Sequence, residues 1–224
     1  EVGAPTAAFR EQITRTIEYD YTHKKQTGGS GQFGRIIGAL TPSEDGEFHF
    51  ESKVTGGNVP REYIPSVQKG FSQCLEKGLL IGAPVDGLHV TLTDGGYHAV
   101  DSSDMAFQAA AKGCFREMYM SGKPEVLEPL MSVSLEGPTE FQGDMVGTLL
   151  QRRGVLNGTV DEQGFVRIDA DVPLAEMFGY ATALRSVTQG KAEFTMEFNC
   201  YSSAPMEVQK ELVAKFQAKK DAKK

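Results

Sequence analysis

Apolar and polar positions change period several times along the chain, and the changes mark its elements. Ile17, Tyr19, Tyr21 and His23 alternate with their neighbours and predict a strand over Ile17–Lys25. Arg35–Pro42 is β-branched, short and closed by a proline, so it reads as the return strand of a long hairpin. Glu47–Val54 reads as a third strand. Asn58 and Pro60 then open a helix with Ile64, Val67, Phe71, Cys74 and Leu75 on its buried face, ending at Gly78. Val85–Leu92 is strand-like, and Thr93-Asp94-Gly95-Gly96 has the chemistry of a turn. A helix follows from about Ser103 to Met120, with Asp101, Ser102 and Ser103 competing for its N-cap.

Gly122 and Pro124 end that helix, and Glu125–Pro129 reads as a link to a second half. There Leu130–Leu135 is a short strand, and Pro138 opens a helix carrying Phe141, Met145, Val146, Leu149 and Leu150 on one face, stopped by Gly154. Val155–Val160 and Val166–Val172 form two strands around a turn at Gln163-Gly164. Pro173 begins another helix, with Leu174, Met177, Phe178, Ala181 and Leu184 at helical spacing, and Ala192, Phe194, Met196, Phe198 and Cys200 alternate as a final strand. This β-α-β-β-α-β order is the split βαβ, ferredoxin-like arrangement, a four-stranded antiparallel sheet with two helices on one face. From Pro205 a short amphipathic or frayed helix (Val208, Leu212, Val213, Phe216) runs out into Lys219–Lys224, which is expected to be mobile. The expected fold class is α+β with two domains.

The chain has 224 residues, 40% of them hydrophobic and 24% charged, as in ordinary globular proteins. Its apolar runs fall short of the ~20 residues that span a bilayer. Neither an initiator Met nor a signal-peptide pattern precedes Glu1, so the sequence reads as a cut from something longer. Cys74, Cys114 and Cys200 give no metal or disulfide spacing and lie in apolar stretches, which predicts buried free thiols in a reducing cytoplasm. A net charge of −7 argues against a protein that coats nucleic acid. The charge is uneven, however. No acidic residue lies between Asp20 and Glu44, while Lys24, Lys25 and Arg35 are positive, and six lysines follow Pro205 against Glu207, Glu211 and Asp221. A basic projection on an acidic body suits contact with RNA at one place.

Gly29-Ser30-Gly31-Gln32-Phe33-Gly34 matches the G-x-G-x-x-G dinucleotide fingerprint, but the fingerprint needs a helix to follow and a strand follows here. No G-x-x-x-x-G-K-[ST] phosphate loop exists. A hydrolase built on His98, Asp101, Ser102 and Ser103 would crowd its groups into six residues, where capping already explains them. Gly164-Phe165-Val166 lacks the flanking aromatic pair that stacks RNA on a ferredoxin-like sheet. What remains is two loops, Thr27–Gln32 and Asp94–Val100 with Tyr97 and His98 at its apex. Glycine lets backbone approach a sugar-phosphate, and Gln32 and His98 can donate or accept hydrogen bonds.

Gln26-Thr27-Gly28-Gly29-Ser30-Gly31-Gln32-Phe33-Gly34 and Gly56-Gly57-Asn58-Val59-Pro60-Arg61-Glu62-Tyr63-Ile64-Pro65 resemble bacterial elongation factor G. So do Asp94-Gly95-Gly96-Tyr97-His98-Ala99-Val100-Asp101-Ser102-Ser103-Asp104-Met105-Ala106-Phe107, Gln151-Arg152-Arg153-Gly154 and Pro173-Leu174-Ala175-Glu176-Met177-Phe178-Gly179-Tyr180-Ala181-Thr182. The resemblance implies a C-terminal piece of that factor. Residues 1–7 would be left from the link to the third domain, and 8–127 the fourth domain, similar to ribosomal protein S5 with a left-handed crossover. Residues 128–203 would be the ferredoxin-like fifth domain and 204–224 a Lys-rich tail. The resemblance also implies a cytoplasmic, monomeric ribosome-binding portion of a translational GTPase, with no catalytic residue, cofactor or metal of its own. GTP and Mg belong to a G domain absent from this sequence. In the family, the fourth-domain tip enters the A site of the small ribosomal subunit while tRNA and mRNA translocate. By matching position, the tip residues are Gly28, Gly29, Ser30, Gly31 and Gln32 with Gly96, Tyr97 and His98. Lys24, Lys25, Arg152 and Arg153 would be further contacts to 16S or 23S rRNA. Ser30 stands where many family members carry arginine or lysine, and a paralogue specialised for ribosome recycling is the alternative.

Overall fold

The computed structural model describes residues 9–26, 28, 29 and 31–224; residues 1–7, read as the link remnant, lie outside the described residues, as do Thr27 and Ser30. The chain divides into two compact units, 10–126 together with 204–224, and 127–203 joined by Phe9.

In the first unit the strands are β1 (Arg10–Gln12), β2 (Ile17–Lys25), β3 (Gln32–Pro42), β4 (His49–Ser52) and β5 (Leu88–Gly96). The helices are α1 (Ile64–Cys74) and α2 (Asp104–Met118). Strands β2 to β5 form a sheet in the order β2-β3-β5-β4, antiparallel except for the parallel β4–β5 pair. One face is apolar by alternation: Ile17 and Tyr19 of β2, Ile36 and Leu40 of β3, and Leu88, Val90 and Leu92 of β5 are buried. Val67 and Phe71 of α1 and Phe107, Ala110, Ala111 and Cys114 of α2 close the same core. Tyr19 reaches across β3 to donate to the Thr91 carbonyl at 2.8 Å. Only glycine fits beneath it, because a Cβ at Gly38 would lie 1.8 Å from that carbonyl oxygen.

A carboxylate is sealed inside this unit. Glu11, fully buried, accepts from the backbone N–H of Leu80, Ile81 and Ala83 at 2.9, 3.0 and 2.9 Å and from the Tyr119 hydroxyl at 2.8 Å. Its oxygens find the donors that burial demands, and they hold the loop between α1 and β5 in place. Burial and the neighbouring Glu11 raise the pKa of the Tyr119 hydroxyl.

In the second unit β6 (Glu125–Pro138), α3 (Gln142–Leu150), β7 (Val155–Glu162), β8 (Phe165–Pro173), α4 (Tyr180–Thr188) and β9 (Glu193–Ser203) follow the split βαβ order. Here the sheet order is β9-β6-β8-β7, antiparallel throughout. Val133, Leu135, Val166, Ile168, Ala170 and Val172 alternate onto the face covered by Met145 and Leu149 of α3 and Tyr180 and Leu184 of α4. The fold is α+β in two sheets, as the hydrophobic pattern implies.

Several local expectations need correction. Thr93–Gly96 is not a turn: β5 runs to Gly96 and pairs Asp94, Gly95 and Gly96 with Ile37, Ile36 and Arg35. Glu125–Pro129 is strand rather than link, since β6 pairs with β9 from Leu127 onward. The helix expected from Pro173 breaks into a 3-10 turn (Leu174–Glu176) and α4, separated by Gly179 at φ +71°, which leaves Phe178 exposed. Helix α5 (Met206–Asp221) is sixteen residues long and carries Lys219 and Lys220 in its last turn. Of the three thiols, Cys114 is buried, Cys74 half-buried and Cys200 exposed. Desolvation pushes Cys74 up to about 11 and Cys114 up to about 12.

Candidate nucleic-acid interface

The β2–β3 ladder runs to its end without a break, pairing His23 with Gly34, Lys24 with Phe33 and Lys25 with Gln32. Gly28 and Gly29 are exposed, and a side chain at Gly28 would meet nothing within 4 Å. The glycines therefore stand at the free end of a hairpin, outside any helix start. Gln32 does not project alone: its Oε1 lies 2.8 Å from His23 Nε2, diagonally across the ladder. That contact engages the oxygen of the half-buried Gln32 amide. His23 was not singled out in the sequence, although its place in the strand alternation is the signal that points to it.

The second loop leaves β5 at Gly96 and is fastened to the first through Ser102. The Ser102 hydroxyl accepts from the His98 N–H at 2.8 Å and donates to the Phe33 carbonyl at 2.7 Å. The Ser102 N–H donates to the His98 carbonyl at 3.1 Å, and the Phe33 N–H donates to the Asp101 carbonyl at 2.9 Å. Ser103, next in the chain, takes the N-cap of α2 by accepting from the Ala106 N–H at 3.1 Å. The three residues that competed for the cap thus divide their tasks. Ser103 caps, Ser102 ties the loops, and Asp101 puts its carboxylate between them. A Cβ at Gly31 would lie 2.9 Å from Asp101 Cγ, so the hairpin tip approaches that carboxylate as only glycine can.

This stitching brings Gln32, Gly96, Tyr97 and His98 to one end of the unit. The His98 and Phe33 rings are 6.2 Å apart, and His98 remains 58% exposed with Nδ1 3.6 Å from Asp101 Oδ2. Tyr97 is 52% exposed and Val100 83%. Because the Ser102 hydroxyl donates to Phe33 rather than to His98, no nucleophile–base hydrogen bond exists here.

The electrostatics correct one expectation. The stretch without acids in sequence is not free of them in space. Arg35 makes a two-pronged pair with Asp20, Nε to Oδ1 at 2.9 Å and Nη2 to Oδ2 at 2.7 Å. The hydrogen bond from Arg35 holds the Asp20 carboxyl below the usual range, and Asp20 raises Arg35 in turn. Asp94 is likewise lowered, chiefly by the Asn58 amide at 3.0 Å. Asp101 enters from the other loop. Of the hairpin cations, Lys24 and Lys25 are exposed, and neither forms an ion pair with another described residue.

Arg152 and Arg153 lie in the second unit and spend their donors inside it. Arg152 Nη1 donates to the Glu176 carbonyl and, at 2.9 Å, to the Phe178 carbonyl, and its guanidinium sits 5.2 Å from the Tyr180 ring centre. Arg153 binds Glu128 through Nη1 and Nη2 at 2.9 and 3.0 Å and Glu176 through Nε at 3.1 Å. Among the described residues no group of three or more His, Cys, Asp and Glu is placed to hold a metal, and no helix is long and apolar enough to cross a membrane.

Comparison with known proteins bears on both units. Residues 5–123 match the family described as elongation factor G, domain IV, and residues 125–212 match the elongation factor G C-terminus. The chain belongs to the elongation factor G family. It is 54% identical over 222 residues to elongation factor G 1 of Treponema pallidum, covering 99% of this chain and 32% of that protein. It is 52% identical over 224 residues to elongation factor G 2 of Anaeromyxobacter dehalogenans, again 32% of the relative's length. The chain thus spans about a third of the curated relatives it matches. A crystal structure of ttk003000868 from Thermus thermophilus superposes with a TM-score of 0.87 at 36% identity, covering 97% of this chain and 33% of that one.

Proposed function

We propose that this chain is the ribosome-binding C-terminal portion of an elongation factor G and serves GTP-dependent tRNA–mRNA translocation. In this reading the joined tip enters the decoding region, at the A site of the small ribosomal subunit. One observation carries the reading. Two loops distant in sequence are tied by Ser102 and Phe33 into a single end that exposes His98 and Tyr97 beside Gln32. Such an end, glycine-lined and rich in hydrogen-bonding groups, suits irregular RNA with displayed 2′-OH groups and base edges. Lys24 and Lys25 would meet phosphates of 16S rRNA along the hairpin. Arg152 and Arg153 would touch 23S rRNA only with the donors left over from their internal bonds. Family membership supports a cytoplasmic, monomeric translation factor whose GTP and Mg sit in a G domain elsewhere in the parent, with no catalysis in this piece.

The test is His98→Ala in the full-length factor. We expect single-round translocation to slow at least tenfold, about 1.4 kcal/mol of barrier. A rate equal to that of the unaltered factor rejects the tip reading. Ribosome splitting measured in the same preparation separates translocation from recycling.

A further inference from the structure

Helix α5 changes character along a single face. Val208, Leu212, Val213 and Phe216 are half-buried, and they share one side of the helix at spacings of four, one and three. Phe216 is the last of them to touch the body. A Cβ at Gly82 would lie 2.8 Å from its ring. Residues 217–224 are all exposed. At the helical rise of about 1.5 Å per residue, the five that remain in α5 project roughly 7 Å past that contact.

The side that faced the body does not stay apolar, nor does it become mixed. Lys219, Lys220, Lys223 and Lys224 follow Phe216 by three, four, seven and eight residues, the offsets that share its face. Helix α5 ends at Asp221, and Lys223 and Lys224 follow in a terminal turn, their N–H groups donating to the Lys220 and Asp221 carbonyls. Glu207, Glu211 and Asp221 fall on the opposite side, where Glu211 pairs with Lys215 and Asp221 with Gln217. Lys220 Nζ stands 4.9 Å from the centre of the Phe216 ring, so the cationic face begins where the packed face stops. Among the described residues none of these four lysines has an ion-pair partner. The helix dipole favours lysines in the last turn, and their placement on the side that continues the packed stripe lays them out for a polyanion lying flush with the body beyond the Gly82 loop.

We propose that the underside of the α5 overhang is a second RNA-binding surface of this chain, taking a phosphate backbone across Lys219, Lys220, Lys223 and Lys224 independently of the hairpin tip. The inference rests on the ribosome-binding reading and adds a contact that reading does not contain. It is an electrostatic contact without base readout, so it sets affinity and salt dependence and not sequence preference.

The test uses the whole chain and purified bacterial ribosomes, with binding followed across a salt series. Replacing the four lysines by glutamine should weaken binding at least tenfold and flatten the slope of log K against log salt by about 2–3. Changing Lys210 and Lys215, which lie off that face, should alter affinity less than twofold. A hydroxyl-radical source tethered at Ala222→Cys, with Cys200→Ser removing the exposed competing thiol, should cut ribosomal RNA. Equal binding and slope for the four-lysine variant would overturn the inference while leaving the tip reading intact. So would equal losses from both lysine sets, or cuts confined to ribosomal protein. Failure of the unaltered chain to bind ribosomes would remove both readings. Circular dichroism of each variant should match that of the unaltered chain.

Discussion

The joined tip and the Arg152–Arg153 turn are built from similar materials and end in opposite states. Both lie where strand or helix gives way to loop, and both gather polar side chains. In the turn the bonds close inward. Arg153 serves Glu128, which is only 3% exposed, and Arg152 gathers the carbonyls that precede α4. In the tip the bonds between backbone, Ser102 and Asp101 stabilise the loops and leave His98 and Tyr97 exposed. The lesson is that polar residues at a turn mark an interface only by the hydrogen-bonding capacity left after the fold has taken its share.

That contrast can be broken by measurement. The largest effect belongs to Arg153→Ala, which strands a buried Glu128 carboxylate and should cost about 3 kcal/mol of the second unit's stability in a denaturant titration. A loss below about 0.5 kcal/mol would show that the arginine is free for an external partner. Next comes Ser102→Ala, which removes the acceptor of His98 and the donor to Phe33. About 1–2 kcal/mol should disappear, with faster amide exchange at His98. Exchange unchanged at that position would mean the loops are joined some other way. His98→Ala should move stability by no more than about 0.5 kcal/mol while ribosome binding falls, since among the described residues its exposed ring meets only Phe33 and Asp101, at the surface. The smallest effect is a titration. Asp20 is held below its ordinary range by Arg35, so its contribution is present above the unfolded value of about 3.9 and is lost as pH falls through the lower folded value. In Arg35→Met the Asp20 carboxyl, followed by NMR, should titrate near the ordinary value.

Much of this arrangement was legible in the residues. Period-two alternation marked the first strand of the hairpin, a short β-branched run closed by a proline marked the second, and Gly or Pro marked most element ends. The errors came where tertiary pairing overrode local chemistry. Asp94-Gly95-Gly96 has every mark of a turn, yet β3 lies alongside, and a Cβ at Gly95 would fall 2.2 Å from the Arg35 carbonyl oxygen. Gly95 serves close strand approach. Phe178 fits a helical spacing that Gly179 interrupts. The candidate loops were visible as motifs, but their union was not. Ser102 and Asp101 read as caps because no linear pattern shows that Phe33, 69 positions from Ser102, lies beside them. Charge misled for the same reason, since Asp101 approaches Gly31 only in three dimensions.

The fastening through Ser102 has a mechanical consequence. The residue after it caps α2, whose Phe107, Ala110, Ala111 and Cys114 are wholly enclosed. A load on the imidazole therefore travels through two peptide units into the best-packed rod of the unit, with little slack to absorb it. Behind its glycines the fingertip is braced like a chisel against its handle.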